Sequence, residues 1–364
     1  MSDVRFLGKM PDPFKREDGT RMSVEEWKEK RYDIRKMVVD FEYGGMPPRP
    51  EFVDYESINV GGTGLISTWY RIKAGKKNKY ITFNLEIMRG KVEDKKCPVL
   101  LTGDACYCNL ESDTISEAIN RGYVVAKFNR LEVANDTKER KGPLYELYPE
   151  YPEFTAISAW AWAYSVCMDV FEKLSYTDET EVGITGHSRG GKTVMLAATV
   201  DERIKYVCPN NSGCHGAVSH RCFVTNQGDN KAHSERISDM IVNFPTWMGS
   251  KLWDYADNED KLPYDMHYFG ALIAPRYYLQ CEGMQDYWIN PIGAWQNFSA
   301  VKECYRYLGC ENNAGAWFRP GTHRHKLPDF IQFMDFMDRA RAGLPLAEHL
   351  TINPYPQIEK NFDW

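Results

Sequence analysis

The segment at residues 182–192, Val-Gly-Ile-Thr-Gly-His-Ser-Arg-Gly-Gly-Lys, constrains the fold more than any other. An apolar run leads to Ser188, which stands between Gly186 and Gly190, and a helical pattern follows. A turn that joins a strand to a helix around an exposed serine tolerates only small residues two positions before and after it. The segment therefore predicts a nucleophile elbow, and a glycine-rich turn with an ordinary serine is the alternative.

Short apolar runs alternate with helical patterns along most of the chain. The pattern predicts strands at residues 65–72, 80–89, 98–103, 124–129, 182–185, 206–209, 276–280 and 316–319, and helices at 23–41, 111–121, 154–174, 193–200, 294–307 and 328–341. Apolar strands separated by helices are typical of parallel βαβ units with both faces covered. With the elbow, this predicts an α/β-hydrolase fold, a three-layer sandwich with a mostly parallel central sheet.

Two segments depart from this alternation, although we expect residues 1–364 to form a single domain. Residues 1–56 are predicted as an amino-terminal arm, in which residues 12–49 lie on the surface. Residues 212–263 mix polar and aromatic side chains, and we predict an insertion over the active-site face with a helix near residues 235–243.

Composition excludes several classes of protein. The chain has 364 residues, and its 45 basic and 51 acidic residues are mixed along it, so neither a nucleic-acid surface nor a nucleic-acid partner is expected. No apolar stretch approaches the roughly 20 residues of a membrane span, and we expect no membrane partner. The amino terminus is polar and charged, which favours a cytoplasmic location, or a secreted one if a signal has been removed. An aromatic content of 13% suits a groove that stacks on sugar rings.

The cysteines and glycines indicate neither a metal nor a cofactor. The 10 cysteines form no small-protein disulfide framework, and we expect reduced thiols. One group imitates a zinc site but matches no compact zinc motif: Cys106, Cys108, Cys214, His215, His220 and Cys222. The glycine-rich residues 61–64 precede a strand, so they predict a turn and not a phosphate loop.

A serine nucleophile needs a base, and the base needs a carboxylate that orients it. In α/β hydrolases these partners follow the serine in the order acid, then histidine, each on a loop after a strand. His323 follows the last predicted strand and a glycine turn, and His325 is the alternative. Asp286 lies in the loop after strand 276–280, where Glu282 is the competing acid. Asp286 could also be an ordinary loop-capping carboxylate.

Several further motifs resemble those of the glucuronoyl esterases. These carbohydrate esterases have an α/β-hydrolase fold and cleave the ester between 4-O-methylglucuronic acid of xylan and lignin alcohols. The likeness covers nearly the whole chain and is closer to the bacterial than to the fungal branch. It rests on residues 11–13, 43–48, 156–162, 186–192, 201–203, 211–214, 244–247, 262–267, 271–276 and 319–323.

The resemblance implies a role for five residues. Ser188 matches the nucleophile and His323 the base. Arg189 matches an arginine that stabilises the oxyanion, with a surface arginine paired to a carboxylate as the alternative. Lys192 matches a lysine that holds sugar hydroxyls. Trp288 matches a tryptophan that lines the sugar site, with a packed core indole as the alternative.

One position departs from the family pattern. Many members carry a catalytic Glu where this chain has Asn211, which cannot carry the required charge. Other bacterial relatives use the later loop, so the resemblance implies that Asp286 is the acid here. For the oxyanion we expect Arg189 and backbone N–H groups, one of them near residues 104–105.

The sequence thus predicts a serine esterase that works through an acyl-enzyme on a uronate- or acyl-bearing carbohydrate. The expected bond is the 4-O-methylglucuronoyl ester between xylan and lignin alcohols. An acetyl-xylan or sugar deacetylase with the same triad is one alternative. A catalytically inactive carbohydrate-binding relative that lost its acid at Asn211 is the other.

Overall fold

The fold was determined as a computed structural model, which describes residues 3–62, 64–91, 95–107, 110–225 and 232–364. Eleven strands lie in this part of the chain: β1 (Asp3–Phe6), β2 (Phe52–Gly61), β3 (Leu65–Lys76), β4 (Lys79–Gly90), β5 (Cys97–Thr102), β6 (Val124–Phe128), β7 (Thr177–His187), β8 (Tyr206–Asn210), β9 (Cys222–Thr225), β10 (Tyr277–Gly283) and β11 (Ala314–Arg319).

Nine of the strands in the described ranges form one mixed sheet. Its order is β11-β10-β8-β7-β5-β6-β4-β3-β2, and β1 pairs separately with β9. Parallel pairing joins the six strands from β11 to β6 in this order, whereas β4, β3 and β2 continue the sheet beyond β6 by antiparallel pairing. Every residue of β5 and β8 is buried, as expected for parallel strands covered on both faces. The mostly parallel sheet predicted from the sequence is confirmed.

Helices cover both faces of the sheet. Those of the described residues are α1 (Val24–Tyr43), α2 (Ser112–Asn120), α3 (Pro143–Leu147), α4 (Ala156–Phe171), α5 (Arg189–Val200), α6 (Ile237–Asn243), α7 (His267–Ile273), α8 (Pro291–Tyr307) and α9 (Leu327–Arg341). On one face α2 packs against α9, and on the other α4, α5, α7 and α8 follow one another in contact. The result is the three-layer α/β-hydrolase sandwich that the elbow motif predicted. Among the described helices, none is both long and apolar enough to span a bilayer.

Residues 24–43 of the predicted surface arm form helix α1, which packs against the core along one side. Helix α1 contacts α5 and α7, and it buries Trp27, Val38 and Tyr43 in the main core. Its apolar side chains form a narrow stripe between many charged residues, which made the helix look solvated in the sequence. Strand β2 was also not predicted, because most of its residues are exposed on an edge of the sheet.

The predicted insertion at residues 212–263 contains β9 and α6, and its residues 226–231 lie outside the described part. It is well packed, since Trp247, Met248 and Leu252 belong to the main core. Cys108, one of the residues weighed for a zinc site, also lies outside the described residues, as does Thr63 of the glycine-rich turn. The nine described cysteines are free thiols.

A capping box begins α1, so this helix gives a test of the packed arm. Ser23 Oγ accepts the Glu26 N–H at 3.2 Å, and Glu26 accepts the Ser23 N–H at 2.7 Å. We expect Ser23→Ala to lower the free energy of unfolding by about 1 kcal/mol, because it leaves a helix N–H without its cap. Urea denaturation measures this change.

The matched control is Ser116→Ala, which removes an exposed hydroxyl within α2 that donates to the Ser112 carbonyl. A surface change of this kind is expected to alter stability by no more than about 0.5 kcal/mol. Equal losses in the two variants would contradict the role of the cap.

Candidate functional site

The elbow itself has the backbone geometry that its glycines predicted. Ser188 lies between the end of β7 and the start of α5, with φ 57° and ψ −119°, and its N–H donates to the Asn210 carbonyl at 2.9 Å. A Cβ on Gly186 would collide with the backbone of Gly190. The first amides of α5 point out of the helix beside the serine, where they favour a negative charge.

A buried carboxylate holds this turn in place by accepting a backbone hydrogen bond. Asp104 accepts the His187 N–H at 2.6 Å and forms an ion pair with Arg130. The side chains of Asp104 and Arg130 are 3% and 2% exposed, so water cannot replace either partner of the ion pair. A Cβ on Gly190 would collide with the Asp104 carboxylate, which explains the second glycine of the motif.

The amides of Asp104 and Ala105, near which the sequence predicts an oxyanion donor, are both hydrogen-bonded within the fold. The Asp104 N–H donates to Thr102 Oγ1 at 3.2 Å, and the Ala105 N–H donates to the Phe128 carbonyl at 3.3 Å. Both amides are therefore committed to the ends of neighbouring strands. The amides at the start of α5 remain as backbone donors for an oxyanion.

Asp286 and His323, predicted from separate loops, are in direct contact. His323 Nδ1 lies 2.5 Å from Asp286 Oδ2, and Asp286 is buried while the His323 side chain is 39% exposed. A carboxylate on Nδ1 fixes the tautomer and leaves Nε2 free to accept a proton. The His323 ring also lies 4.3 Å, centroid to centroid, from the ring of His187, the residue before Ser188.

The contact between the His323 ring and the elbow is made by the ring of His187. Among the described side chains, no hydrogen bond joins Ser188 Oγ to His323. Hydrogen bonds of this kind are often long before substrate binds and tighten in the complex, so the arrangement is compatible with proton transfer.

The two alternatives that the sequence left open lie elsewhere. Glu282 is fully buried at the end of β10, where burial and the charge of Asp286 raise its pKa well above the usual range. His325 is buried against Phe330, with ring centroids 4.0 Å apart, and burial and His187 lower its pKa far below the usual range. Burial therefore favours the neutral form of both groups, and the structure brings Asp286, not Glu282, to His323.

Asn211, the position that departs from the family pattern, contacts this same carboxylate. Its Nδ2 donates to Asp286 Oδ2 at 2.6 Å, and its Oδ1 accepts from Arg319 at 3.3 Å. Arg319 in turn pairs with the buried Asp329. Asn211 thus holds Asp286 in place although it carries no charge.

Arg189 is held beside the elbow by an acidic and aromatic set of neighbours. Its Nη1 forms an ion pair with Asp136, which also accepts the Trp247 indole N–H at 2.8 Å. The guanidinium lies 4.6 Å from the Trp247 ring and 4.8 Å from the Tyr107 ring. Part of the alternative prediction is therefore correct, since Arg189 does have a carboxylate partner, but that partner keeps the cation next to Ser188.

Lys192 lies one helical turn after the serine, as predicted, but it is buried. Its Nζ donates to the carbonyl oxygens of Ser212, at 2.6 Å, and Cys214, and it lies 3.5 Å from Glu235 Oε2. The Glu235 N–H donates to the Trp288 carbonyl at 2.8 Å, and the Trp288 side chain is partly exposed. All three N–H groups of Lys192 are thus used within the protein, and Lys192 and Glu235 are linked to the Trp288 backbone one helical turn from Ser188.

Sequence reasoning missed Glu235, Asp136 and Asp104 as parts of the site. Glu235 is buried close to Gly213, where any Cβ would collide with the carboxylate. Single carboxylates in loops carry no spacing signal, and only the glycines packed against them could have indicated their positions.

Comparisons with known proteins identify relatives of this chain. A family profile described as glucuronyl esterase, fungi, matches residues 72–309. A 4-O-methyl-glucuronoyl methylesterase 1 of Wolfiporia cocos is 28% identical over 343 residues, which cover 91% of this chain and 80% of the relative. A 4-O-methyl-glucuronoyl methylesterase of Phanerochaete carnosa is 28% identical over 327 residues, covering 87% and 76% of the two chains.

A solved structure extends the likeness to the whole chain. The carbohydrate esterase family 15 glucuronoyl esterase from Caldicellulosiruptor kristjansonii superposes with a TM-score of 0.83 at 25% identity, covering 98% of this chain and 96% of that one. The profile match spans more than half of the chain. The protein therefore belongs to the glucuronoyl esterase family, carboxylic ester hydrolases with an α/β-hydrolase fold.

Proposed function

We propose that the protein is a serine esterase that hydrolyses a glucuronoyl ester, the 4-O-methylglucuronoyl ester between xylan and lignin alcohols. The contact between His323 Nδ1 and Asp286, placed beside the elbow of Ser188, is the observation that carries this proposal. Such an arrangement gives a serine hydroxyl its base and gives the base its orienting carboxylate.

In the proposed reaction, Ser188 Oγ attacks the ester carbonyl and its proton passes to His323 Nε2. Asp286 stabilises the imidazolium through Nδ1–H. The first amides of α5 and the Arg189 guanidinium stabilise the oxyanion. The intermediate collapses, and His323 protonates the departing alcohol. Water, activated by His323, then hydrolyses the acyl-enzyme and returns the proton to Ser188.

The second histidine of the site favours this proton transfer by staying neutral. Burial, together with the neighbouring His323, lowers the pKa of His187 to about 4. Near neutral pH His187 is therefore uncharged, and it does not oppose the positive charge that forms on His323, 4.3 Å away.

Polar groups on one side of the site support a sugar acid as the acyl part of the ester. A Glu235 carboxylate can accept from sugar hydroxyls, and an indole such as Trp288 packs on the apolar face of a sugar ring. The buried Lys192 ammonium pairs with Glu235 and holds it in place, and we call these three residues the sugar side of the site. Tyr107, 59% exposed and next to Arg189, offers a ring on which an aromatic alcohol can stack. An acetyl group alone would use none of these contacts.

The first test is the nucleophile. We expect Ser188→Ala to lower kcat on benzyl 4-O-methylglucuronate by roughly 10⁴-fold or more, because no other group can form the acyl-enzyme. A fluorophosphonate probe should label the wild-type protein but not the variant, as seen by intact-mass measurement.

Two results would contradict the proposal in different ways. A wild-type protein that the probe leaves unlabelled would favour an inactive carbohydrate-binding protein. Faster turnover of an acetylated xylo-oligosaccharide than of the glucuronate ester would favour a deacetylase.

The second test separates the two candidate acids. Asp286→Asn should lower kcat by about 10⁴-fold, since the amide cannot stabilise the imidazolium. Glu282→Gln is the matched control, because burial raises the pKa of Glu282 and its Oε1 accepts a hydrogen bond from Gln280. Steady-state kinetics in which Glu282→Gln is the more damaging change would overturn the assignment of Asp286.

The third test is the cation at the oxyanion. We expect Arg189→Ala to lower kcat by about 10²- to 10³-fold with a smaller change in KM, because the charge that it stabilises exists only in the transition state. Arg339→Ala, a half-buried arginine of α9 that donates to the Pro345 carbonyl, serves as control and should leave both constants unchanged. A rise in KM alone for Arg189→Ala would assign the arginine to substrate binding instead.

A further inference from the structure

A second group of reactive side chains lies buried just beyond the sugar side of the site. The thiol of Cys214 and the imidazoles of His215 and His220 each offer a donor atom, and the three atoms lie within 4.8 Å of one another. The residues are 3%, 0% and 6% exposed. The proposed esterase reaction uses none of these three groups.

A single carboxylate orients both rings. One oxygen of Glu42 contacts Nδ1 of His215, and the other lies 3.2 Å from Nε2 of His220. Glu42 is fully buried and also accepts the Tyr264 hydroxyl. Each ring is therefore fixed through one nitrogen, and its other nitrogen is turned away from Glu42.

The outer nitrogens are placed for a shared partner. His220 Nδ1 lies 3.6 Å from Cys214 Sγ. Nε2 of His215 is buried and has no hydrogen-bond partner among the described residues. A buried polar atom without a partner is unfavourable in a folded protein and requires an explanation, for which an ion is one candidate.

One pair of atoms in the cluster has the separation that zinc requires of its ligands, and all three atoms lie within 4.8 Å of one another. Bonds of about 2.3 Å to sulfur and about 2.0 Å to nitrogen in a tetrahedral site place the two ligand atoms about 3.5 Å apart, close to the observed 3.6 Å. Histidines that bind metal usually direct their second ring nitrogen to a carboxylate, as both rings do here. The charges also balance, since a divalent cation would be neutralised by one thiolate and one carboxylate.

The backbone is held in the shape that this cluster needs. His215 has φ 63°, a left-handed conformation that is unfavourable for a residue with a side chain. The Tyr43 hydroxyl donates to the His215 carbonyl and keeps the turn in place. Strained residues of this type are typically found where a site must be assembled.

We propose that Cys214 Sγ, His215 Nε2 and His220 Nδ1 bind one divalent transition-metal ion of the zinc type. Water completes the coordination, and Glu42 orients both histidines by contacting the ring nitrogens that do not bind the ion. The Cys214 thiol loses its proton to solvent when the ion binds. This inference does not depend on the proposed ester hydrolysis.

The ion would act on the substrate side of the site through the Cys214 backbone. The Cys214 N–H donates to Glu235 Oε2 at 2.8 Å, and its carbonyl accepts from Lys192 Nζ. A metal bond to the same residue fixes the position of these two polar groups. Its role is therefore structural, as a support for the sugar-binding side.

The test is a metal analysis of the full-length protein. We expect protein produced with added Zn²⁺ to retain about one zinc per chain after gel filtration, measured by inductively coupled plasma mass spectrometry. Protein refolded with Co²⁺ should show a thiolate-to-cobalt charge-transfer band. Cys214→Ser and His220→Gln should lose most of the metal and the band, whereas Cys304→Ser, a buried free thiol in α8, should keep both.

The proposal is overturned if the wild-type protein retains no zinc after gel filtration and shows no cobalt band after refolding. The cluster would then be a metal-free network of hydrogen bonds. Metal retained equally by Cys214→Ser and His220→Gln would overturn it too, because the ion would lie elsewhere. If these variants fail to fold, the cobalt spectrum of the wild-type protein still decides, since a charge-transfer band requires a thiolate ligand.

Discussion

The site depends on the hydrogen bond between the buried Asp104 carboxylate and the backbone of the elbow. The carboxylate accepts the His187 N–H immediately before the nucleophile, and the ion pair with Arg130 offsets the cost of burying both groups. Ser188 has a backbone conformation that is unfavourable in isolation, and such strain persists only where the surroundings over-determine it. Asp104 supplies this constraint, and the glycines allow the backbone to approach it closely.

The acid and base are held by the ends of three parallel strands. Asn211 follows β8, Asp286 follows β10 and Arg319 ends β11, and hydrogen bonds join all three. This geometry explains how the chain tolerates Asn211 where the family pattern has Glu. The amide holds a carboxylate that arrives from the next strand, and that carboxylate is the one in contact with His323.

Cys214 links the two parts of the molecule that carry unusual chemistry. Its backbone contacts Lys192 and Glu235 on the sugar side, and its thiol faces the histidines oriented by Glu42. Buried charges are costly unless they are paired. Here the Lys192 ammonium and the Glu235 carboxylate pair beside the Cys214 backbone. A zinc-type ion would balance the Cys214 thiolate and the Glu42 carboxylate on the side of the thiol.

Local patterns in the sequence were sufficient for the elbow, the alternation of strands and helices, and the order of Ser188, Asp286 and His323, because each depends on a few neighbouring residues or on chain order. Tertiary structure alone decided the burial of α1, the contact that brings Asp286 rather than Glu282 to His323, and the contacts of Asp104 and Glu235. Each of these depends on which distant segments the sheet brings together. An ion pair between residues far apart in the chain leaves no periodic signal, and its energy depends on burial that only the folded protein defines.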